Sequence, residues 1–494
     1  MKLSLFKLAI LCVLILTTTA YSQHQGLSYN FFGGGARSEG MGQAYLAISD
    51  DGAAGGWNPA GLYVHEKTLF GFSYSFFMPR GHYKFFETPN VSQTYDHTGT
   101  IGFINNGSLI FPIRIKNHHF VLNLTWARLF DTYYEFGEKL YSWSDPDRDD
   151  PSVADDDSRN AFMKRKGGIN ALNLGFGTRI YKELSFGLTG KIYWGQVVTN
   201  EDRYIFLDTS AYEGGDALVE IYSGSLDSTS YTGFNLNAGF LYATDKFRAG
   251  LMFRAPFVLR GDSDSTLTRW ATINGIPYNA TGTVLSSDTI YIDNMTSRLE
   301  MPLMVGFGLG YYINDNWLVA ADLEYKAFDG KTVENLDSLN LTATGDKVEY
   351  YSSTDSVPNW NNVIQFRFGT EYLLNTSIGE IPIRFGFRNE AFPQGNIVRY
   401  DISYEGEKQA GGAVHYDETS YEGSRVYYQF YYDTEKITGF SFSLGTGIHW
   451  SQVMLDVAYT YTTYEQKIYS GADNLRSKNE WKNHHLNFSF TGYF

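Results

Sequence analysis

The sequence has little cysteine, little proline and no long apolar stretch beyond its first residues. Its one cysteine, Cys12, lies within the first 22 residues, so the rest of the chain excludes disulfide bonds and thiol chemistry. After those residues no apolar run reaches the length of a membrane-spanning helix, which excludes a helical membrane protein. With 12 proline and 50 glycine residues in 494, the composition favours long strands joined by many turns.

Residues 1–22 have the pattern of a secretory signal peptide. Lys2 and Lys7 come first, an unbroken apolar run from Leu8 to Leu16 follows, and a cleavage site fits after Ser22. The run is too short to span a bilayer as a mature helix. We therefore expect export of the chain from the cytoplasm.

Aromatic residues are abundant, at 17% of the chain with 38 Tyr and 36 Phe. Many recur at every second position, as between Phe440 and Trp450, where one face is apolar and the other carries Ser, Gly and His. Inside a membrane the backbone must satisfy its own hydrogen bonds. Alternating strands in a chain without membrane helices therefore predict an all-β fold, a closed antiparallel transmembrane β-barrel.

The alternating runs number about fourteen, an even number as expected of a bacterial barrel formed by one chain. Short connections such as Lys182-Glu183 and Ser451 alternate with long ones such as residues 137–168. This places the short turns and both termini in the periplasm and the long loops outside. The predicted strands cover residues 68–77, 98–113, 120–136, 169–181, 184–198, 232–243, 247–260, 299–313, 317–328, 363–374, 381–390, 437–450, 452–464 and 485–494.

The segment before the first strand, residues 33–62, is rich in small residues. Its steps Gly40-Met41-Gly42 and Gly55-Gly56 allow close backbone approach and positive φ. The segment cannot bury a core by itself, so we predict an N-terminal plug, or hatch, inside the lumen. The chain then divides into a signal peptide at 1–22, a plug at 23–66 and the barrel at 67–494.

The plug segment resembles the opening of the FadL-type outer-membrane transporters, the OMPP1/FadL/TodX family. The resemblance is carried by Gly40-Met41-Gly42, Asp50-Asp51 and Asn58-Pro59-Ala60-Gly61-Leu62. Secretion-scaffold barrels of the PorV type share much of this opening. Three later stretches, at 247–256, 301–306 and 383–388, also resemble the FadL-type family and favour the transporters.

The resemblance implies a monomeric fourteen-stranded barrel for passive uptake of hydrophobic compounds such as long-chain fatty acids or aromatic hydrocarbons. The residues expected to act in plug gating are Gly40, Gly42, Asn58, Pro59 and Ala60. The family also passes substrate sideways through the wall at a kinked third strand. Here the third strand, residues 120–136, has neither glycine nor proline to mark a kink, so a lateral exit would require a bulge that the sequence does not reveal.

A substrate carboxylate would need a cation in the lumen, and arginine binds carboxylates in bidentate geometry. Alternation along residues 247–260 places Phe257 and Leu259 on the lipid face and Arg248, Arg254 and Arg260 inside; alternation along 381–388 places Arg384 and Arg388 inside. The candidate ligand-binding residues are Arg254, Arg384 and Arg388. In the alternative, these arginines brace the wall by pairing with the lumen acids Asp322, Glu324, Glu371, Glu390 and Asp456.

Several function classes are disfavoured. The net charge of −15 repels nucleic acid phosphates. The aspartates between 145 and 157 lack the spacing of a calcium loop, so we predict no metal site and no cofactor. No nucleophile with a matching partner stands out, which argues against an enzyme.

Our prediction is therefore a passive carrier in the outer membrane of a Gram-negative-type bacterium. Its partners would be a hydrophobic small molecule, outer-membrane lipid and lipopolysaccharide. The last strand ends at the aromatic Phe494, which resembles the signal that barrels present to the barrel-assembly machinery. The alternative function is a PorV-like scaffold or shuttle in protein secretion.

Overall fold

The computed structural model describes residues 34–88, 91–116, 118–131, 134–141, 158–208, 218–274, 276–277, 288–331, 333–343, 346–356, 360–404, 414–421, 424–470 and 474–494. The predicted signal peptide and the first part of the predicted plug lie outside these residues. In the described ranges the chain has one short α-helix, α1 (Ala36–Gly40), and one 3₁₀ helix (Pro59–Val64). None of the described helices has the length and apolar character needed to cross a membrane.

Most other described residues form strands, numbered here in chain order. Their bounds are β1 Leu69–Met78, β2 Arg80–Thr88, β3 Val91–Thr98, β4 Ile101–Ile115, β5 His118–Asp131, β6 Tyr134–Tyr141, β7 Ser158–Tyr181, β8 Leu184–Asp208, β9 Leu218–Ala243, β10 Phe247–Arg254, β11 Phe257–Ile273, β12 Ile276–Pro277, β13 Asp288–Met301, β14 Met304–Asn314, β15 Trp317–Lys326, β16 Val333–Ala343, β17 Asp346–Ser356, β18 Val363–Thr376, β19 Gly379–Tyr404, β20 Val414–Tyr421, β21 Ser424–His449, β22 Val453–Ser470 and β23 Asn474–Tyr493.

Fourteen of these strands close into an antiparallel ring, which confirms the predicted barrel and strand number. The last strand pairs with the first over their whole length, with Leu69 opposite Tyr493 and Met78 opposite His484. The order around the ring is β1, β4, β5, β7, β8, β9, β10, β14, β15, β18, β19, β21, β22 and β23.

The two ends of the barrel differ, as the connection lengths predict. At one end, called here the short-turn end, tight turns join neighbours, for example from Tyr181 of β7 to Leu184 of β8. At the opposite, long-loop end many strands continue well past the ring: β8 has 25 residues and β9 has 26. These extensions are joined by further strands such as β11, β13, β16 and β17.

The outer face of the ring is apolar and the inner face is largely polar. On β18, Ile364 and Phe366 are 60% and 44% exposed, whereas Gln365 and Arg367 between and beside them are 1% and 3% exposed. A period of two on a strand places successive side chains on opposite faces. The exposed apolar set is therefore the lipid-facing surface of a transmembrane barrel.

The predicted strand at 299–313 is divided into β13 and β14. The predicted strand at 247–260 is also interrupted, which corrects its inward and outward assignments. The run at 247–260 consists of β10 and β11, with Ala255-Pro256 between them. Phe253 on β10 is 39% exposed, but Phe257 and Leu259 on β11 are 9% and 2% exposed, while Arg260 is exposed. The break shifts the alternation by one residue, so Phe257 and Leu259 face the lumen and Arg260 does not.

Residues 34–66, called here the inner segment, lie inside the barrel. Leu46, Ala47 and Ile48 are completely buried, together with most of their neighbours in the segment. The segment contacts strands on all sides of the ring, since it touches β4, β8, β10, β18, β19 and β21. Residues 34–66 therefore lie in the short-turn half of the lumen, and their action as a plug stays a prediction.

Candidate functional site

The first part of the inner segment fits against the wall at two glycines. Gly42 has a φ of +62°, and a Cβ there would come within 2.6 Å of the backbone nitrogen of Phe387. Gly40 lies against Gly445, where an added Cβ would be 3.1 Å from the Cα of that residue. The Ser443 side chain bridges both positions: its Oγ accepts from the Gly42 N–H at 3.1 Å and donates to the Gly40 carbonyl at 3.2 Å. Glycine is needed here for close approach.

The later part of the inner segment is attached to the wall at Asn58, Pro59 and Ala60. The Asn58 Oδ1 accepts from the Ala60 N–H at 3.1 Å and caps the 3₁₀ helix, whose first residue is Pro59. The Asn58 Nδ2 donates to the Leu46 carbonyl at 2.8 Å and to the wall carbonyl of Phe240 at 3.1 Å. These contacts locate the three residues predicted for gating at a junction between segment and wall. Their role in gating stays a prediction.

A carboxylate of the wall holds the middle of the inner segment. The Asp322 Oδ2 on β15 accepts from the backbone N–H groups of Tyr45 and Leu46 at 2.6 and 2.9 Å. Asp322 is 2% exposed. Because a buried carboxylate needs hydrogen-bond donors, the side chain and the segment backbone satisfy each other.

A chain of charged side chains joins the inner segment to five wall strands. Arg37 donates from two nitrogens to Glu371 of β18, at 3.0 and 3.1 Å, and also pairs with Asp50. Asp50 in turn accepts from Arg248 of β10 at 2.9 Å. Glu371 accepts from Arg384 of β19 at 2.5 Å. The chain continues from Arg384 to Asp456 of β22 at 2.6 Å and from Asp456 to His449 of β21 at 3.0 Å.

The acids and arginines of this set, called here the ionic chain, alternate in sign. Arg37, Asp50, Glu371 and Asp456 border a cavity of about 510 Å³ at the short-turn end. The Arg37 and Arg248 guanidiniums lower the pKa of Asp50, although its burial alone would raise that pKa. Burial raises the pKa of Asp51 beside it, and the Ala53 N–H and Arg37 only partly offset this effect. The ionised pairs therefore fix the segment through Asp50.

A second ionic contact lies at Glu39 of α1. Burial would raise the pKa of Glu39, but His485 at 3.8 Å and Arg388 at 3.7 Å lower it to about 2. Gln43 adds a hydrogen bond of 2.8 Å to the same carboxylate. Glu39 is 1% exposed and holds the start of the segment as an anion.

The three candidate arginines have different surroundings. Arg384 is engaged by Glu371 and Asp456, and Arg388 by Glu390 at 2.6 Å and by Glu39. Both arrangements match the bracing alternative for these residues. Arg254 contacts the Asn237 Oδ1 at 3.3 Å and the Met304 sulfur at 3.2 Å, and it borders a small lumen cavity. The role of these residues in ligand binding stays a prediction.

Above the inner segment, towards the long-loop end, a cluster of buried apolar side chains lies in the lumen. Here the side chains pack on one another, as in the stacked rings of Tyr193 and Phe257, whose centroids are 4.8 Å apart. We call this set the apolar layer. Its members are Ala127, Leu129, Ile169, Ala171, Tyr193, Phe257, Leu259, Leu299, Met301, Met304, Phe328, Trp360 and Val363.

Between the apolar layer and Trp57 of the inner segment lies a cavity of about 20 Å³. Two arginines, Arg254 and Arg367, border it together with Lys191 and one acid, Glu324. The Asn173 side chain, also at this cavity, has no hydrogen-bond partner for either its Oδ1 or its Nδ2. The space is sufficient for about one water molecule and has more donors than acceptors around it.

The barrel wall is split beside the apolar layer. The β4–β5 ladder runs from Ile115–His118 at the short-turn end to Asn106–Ala127, where it stops. Beyond that point β4 pairs only with β1, and β5 pairs only with β7, with a register shift between Arg128 and Phe130. Among the described residues no ladder joins the continuing strands β3 and β6, although these two strands come close to each other. This break in strand pairing is called here the wall split.

The wall split lies at the predicted third strand. That strand is β5 (His118–Asp131), and its ladder with β7 has a bulge at a point with neither glycine nor proline. A lateral exit here stays a prediction. The sequence signal closest to the split is Asn105-Asn106, two consecutive polar residues that are both buried at a matching bulge in β4. The sequence pattern does not reveal Phe257 and Leu259 of the apolar layer, because it predicts β10 and β11 as one strand.

Comparison with known proteins identifies the family and the fold. A family model described as BamG matches residues 148–411, more than half of the chain. No curated protein matches the sequence. The crystal structure of a Pseudomonas aeruginosa FadL homologue is similar with a TM-score of 0.53 at 13% identity, over 94% of this chain and 99% of that one. The Pseudomonas putida toluene transporter TodX gives 0.51 at 14% identity, over 94% and 99%. The chain therefore belongs to the BamG family, and its barrel has the FadL-type fold.

Proposed function

We propose that this protein lets hydrophobic small molecules cross the outer membrane passively, through the apolar layer and the wall split. The observation that carries the proposal is their adjacency. Ala127 ends the β4–β5 ladder and belongs to the apolar layer, and Leu129 follows it along the edge of the split. A molecule in the layer would thus be next to lipid.

An apolar layer is unusual inside a transmembrane barrel, whose interior is ordinarily polar. Ligand sites are lined mainly by apolar and aromatic side chains, with a few polar groups for orientation. Burial contributes about 0.8 kcal/mol per methylene group, so such a layer would concentrate a sparingly soluble compound. The adjoining 20 Å³ cavity is smaller than any arene, and binding therefore requires the layer to open.

The cavity at the base of the layer bears on the substrate class. Arg254 and Arg367 outnumber Glu324 there, which favours a ligand with an anionic head and an apolar tail, such as a fatty acid. Of the three arginines predicted from the sequence, we retain Arg254 for this role because it borders this cavity. Arg384 and Arg388 would instead keep the wall and inner segment together, since protein carboxylates already occupy their guanidiniums.

Uptake measurements test the proposal. We expect cells that lack the gene to take up oleate and toluene more slowly and to recover when the gene is restored. Arg254→Ala should slow oleate more than toluene, since only oleate carries a carboxylate. Arg114→Ala is the matched control, because Arg114 is 68% exposed and its ion-pair partner Glu66, at 3.6 Å, is 76% exposed. Unchanged uptake of both compounds without the gene would refute the function.

A second candidate is a role in the assembly of other outer-membrane barrels. The match to a family model described as BamG favours this role. The position of the inner segment in the short-turn half of the lumen favours it as well. In this case cells without the gene would lose other barrel proteins from the outer membrane, while the uptake of toluene per remaining barrel would not change. Measuring both quantities in the same cells separates the candidates. A PorV-like secretion role predicts instead the loss of a secreted surface protein.

A further inference from the structure

We propose that Arg128 is the gate residue of the wall split, a role that rests on the proposed passage of hydrophobic molecules through it. Arg128 is the first residue of β5 beyond the end of the β4–β5 ladder. Its neighbours Ala127 and Leu129 face the lumen and are 2% and 4% exposed. Because side chains alternate along a strand, the Arg128 side chain leaves the backbone on the lipid-facing side of the wall.

The Arg128 guanidinium nevertheless crosses the split. Its carbon lies 5.2 Å from the ring centroid of Phe103, a residue of β4 that is 7% exposed and faces the lumen. A cation over an aromatic face at this distance is attracted by the ring quadrupole. The contact thus connects the two strands at the height where their backbones have separated, and it covers the entrance to the apolar layer.

A second contact holds the guanidinium in place. The Arg128 Nη2 donates to the carbonyl of Gly167 on β7 at 2.7 Å. Gly167 has a φ of +119°, and a Cβ there would be 2.0 Å from the Gln196 carbonyl oxygen, so only glycine fits this backbone. The carbonyl that fixes the arginine is therefore provided by a special conformation of the neighbouring strand.

Arginine is suited to such a gate by its length and by its affinity for interfaces. A long cationic side chain can extend its apolar stem along a surface while the head group reaches water or lipid head groups. Trp126, two positions before Arg128, lies on the lipid-facing side. Aromatic residues are common on this side near a membrane interface. We infer two positions for the head: over Phe103 with the split covered, and outward with the split open.

The test measures access to the lumen from lipid. The chain has no cysteine after Cys12, so Ala127→Cys introduces one thiol at the lumen side of the split. The purified protein in lipid vesicles is treated with a lipid-soluble maleimide and the labelling rate is measured. We expect Arg128→Ala in this background to increase the rate several-fold and to accelerate toluene transfer, whereas Arg128→Lys should leave both nearly unchanged.

A matched control removes the same kind of contact elsewhere. The Arg179 guanidinium lies 4.4 Å from the Tyr63 ring centroid, near the short-turn end. Arg179→Ala should change neither labelling nor transfer. Heat-modified migration on a gel verifies that each variant has folded, and Arg128→Gln provides a second neutral variant if Arg128→Ala does not fold.

Three outcomes are distinguishable. Equal labelling of the introduced thiol in the Ala127→Cys parent and in both neutral variants would overturn the gate. Faster labelling without any toluene transfer, in the parent or the variants, would keep Arg128 as a cover of the split and refute the proposed function. Faster labelling with faster transfer supports both.

Discussion

The two halves of the lumen hold their contents by different forces. In the short-turn half, the inner segment is fixed by directional contacts, such as those of Asp322, Asn58 and the ionic chain. In the long-loop half, the apolar layer consists of apolar and aromatic side chains packed on one another. Ion pairs and hydrogen bonds require one geometry, whereas apolar packing is non-directional.

The difference has a consequence for function. A segment held by directional contacts keeps a fixed position, while an apolar layer can rearrange around molecules of several shapes. The wall split opens beside the layer and not beside the segment. We therefore expect the short-turn half to act as a fixed closure and the long-loop half as the adaptable site. The next three predictions can contradict or sharpen this contrast.

The largest effect should come from the ionic chain. Arg384→Met leaves the buried Glu371 and Asp456 without their shared cation, and breaking a buried pair costs roughly 3–5 kcal/mol of unfolding free energy. Arg114→Met, at an exposed pair, should cost about 0–1 kcal/mol. Urea unfolding in lipid vesicles measures both. Similar midpoints for the two variants would mean that the ionic chain does not stabilise the barrel.

A smaller loss of stability, together with stronger ligand binding, should follow from creating a cavity in the apolar layer. Leu259 is 2% exposed, and Leu259→Ala should cost about 2–4 kcal/mol through lost burial and a new cavity. The same cavity should strengthen toluene binding, as measured by calorimetry. Leu259→Met, which conserves volume, is the control and should change little. If toluene binds no better to Leu259→Ala, the ligand does not occupy this layer.

The smallest effect should be a loosening of the inner segment in acid. Burial lowers the pKa of His65 to about 4, below its ordinary 6.5, so the neutral ring stabilises the segment above pH 6.5 and this contribution is lost as the pH falls to 4. Glu39, with a pKa of about 2, keeps its stabilising charge down to its ordinary value of 4.5 and loses it below.

Hydrogen exchange at pH 7, 5 and 3, corrected for the intrinsic rates, should therefore reveal increasing exchange in residues 34–66 and little change in β18. His65→Asn should remove the increase between pH 6.5 and 4. Equal acceleration in the segment and in the wall would instead indicate general unfolding.

The strands were predictable because their information is local. Period-two alternation places Ile364 and Phe366 outside and Gln365 inside without knowledge of any other strand. Gly40, Gly42 and Asn58 were also recognisable, since a tight approach and a cap each need a particular residue type.

Other features depended on contacts between distant residues. The shift at Ala255-Pro256 reversed the inward and outward assignments of Phe257, Leu259 and Arg260. A one-residue shift between strands moves the following side chains to the opposite face. The pairing of Arg37 with Glu371 joins residues 334 positions apart. No local sequence pattern predicts which acid in the lumen an arginine will pair with.

From the sequence alone follow a barrel of about fourteen strands and a glycine-rich opening segment, since alternation and small residues are properties of neighbouring positions. Only the tertiary structure decided that the lumen divides into an ionic half and an apolar half, and that β4 separates from β5 at Asn106 and Ala127. Both depend on register, which is the relative position of whole strands. Register is determined by the sum of all cross-strand contacts, so no single stretch of sequence encodes it.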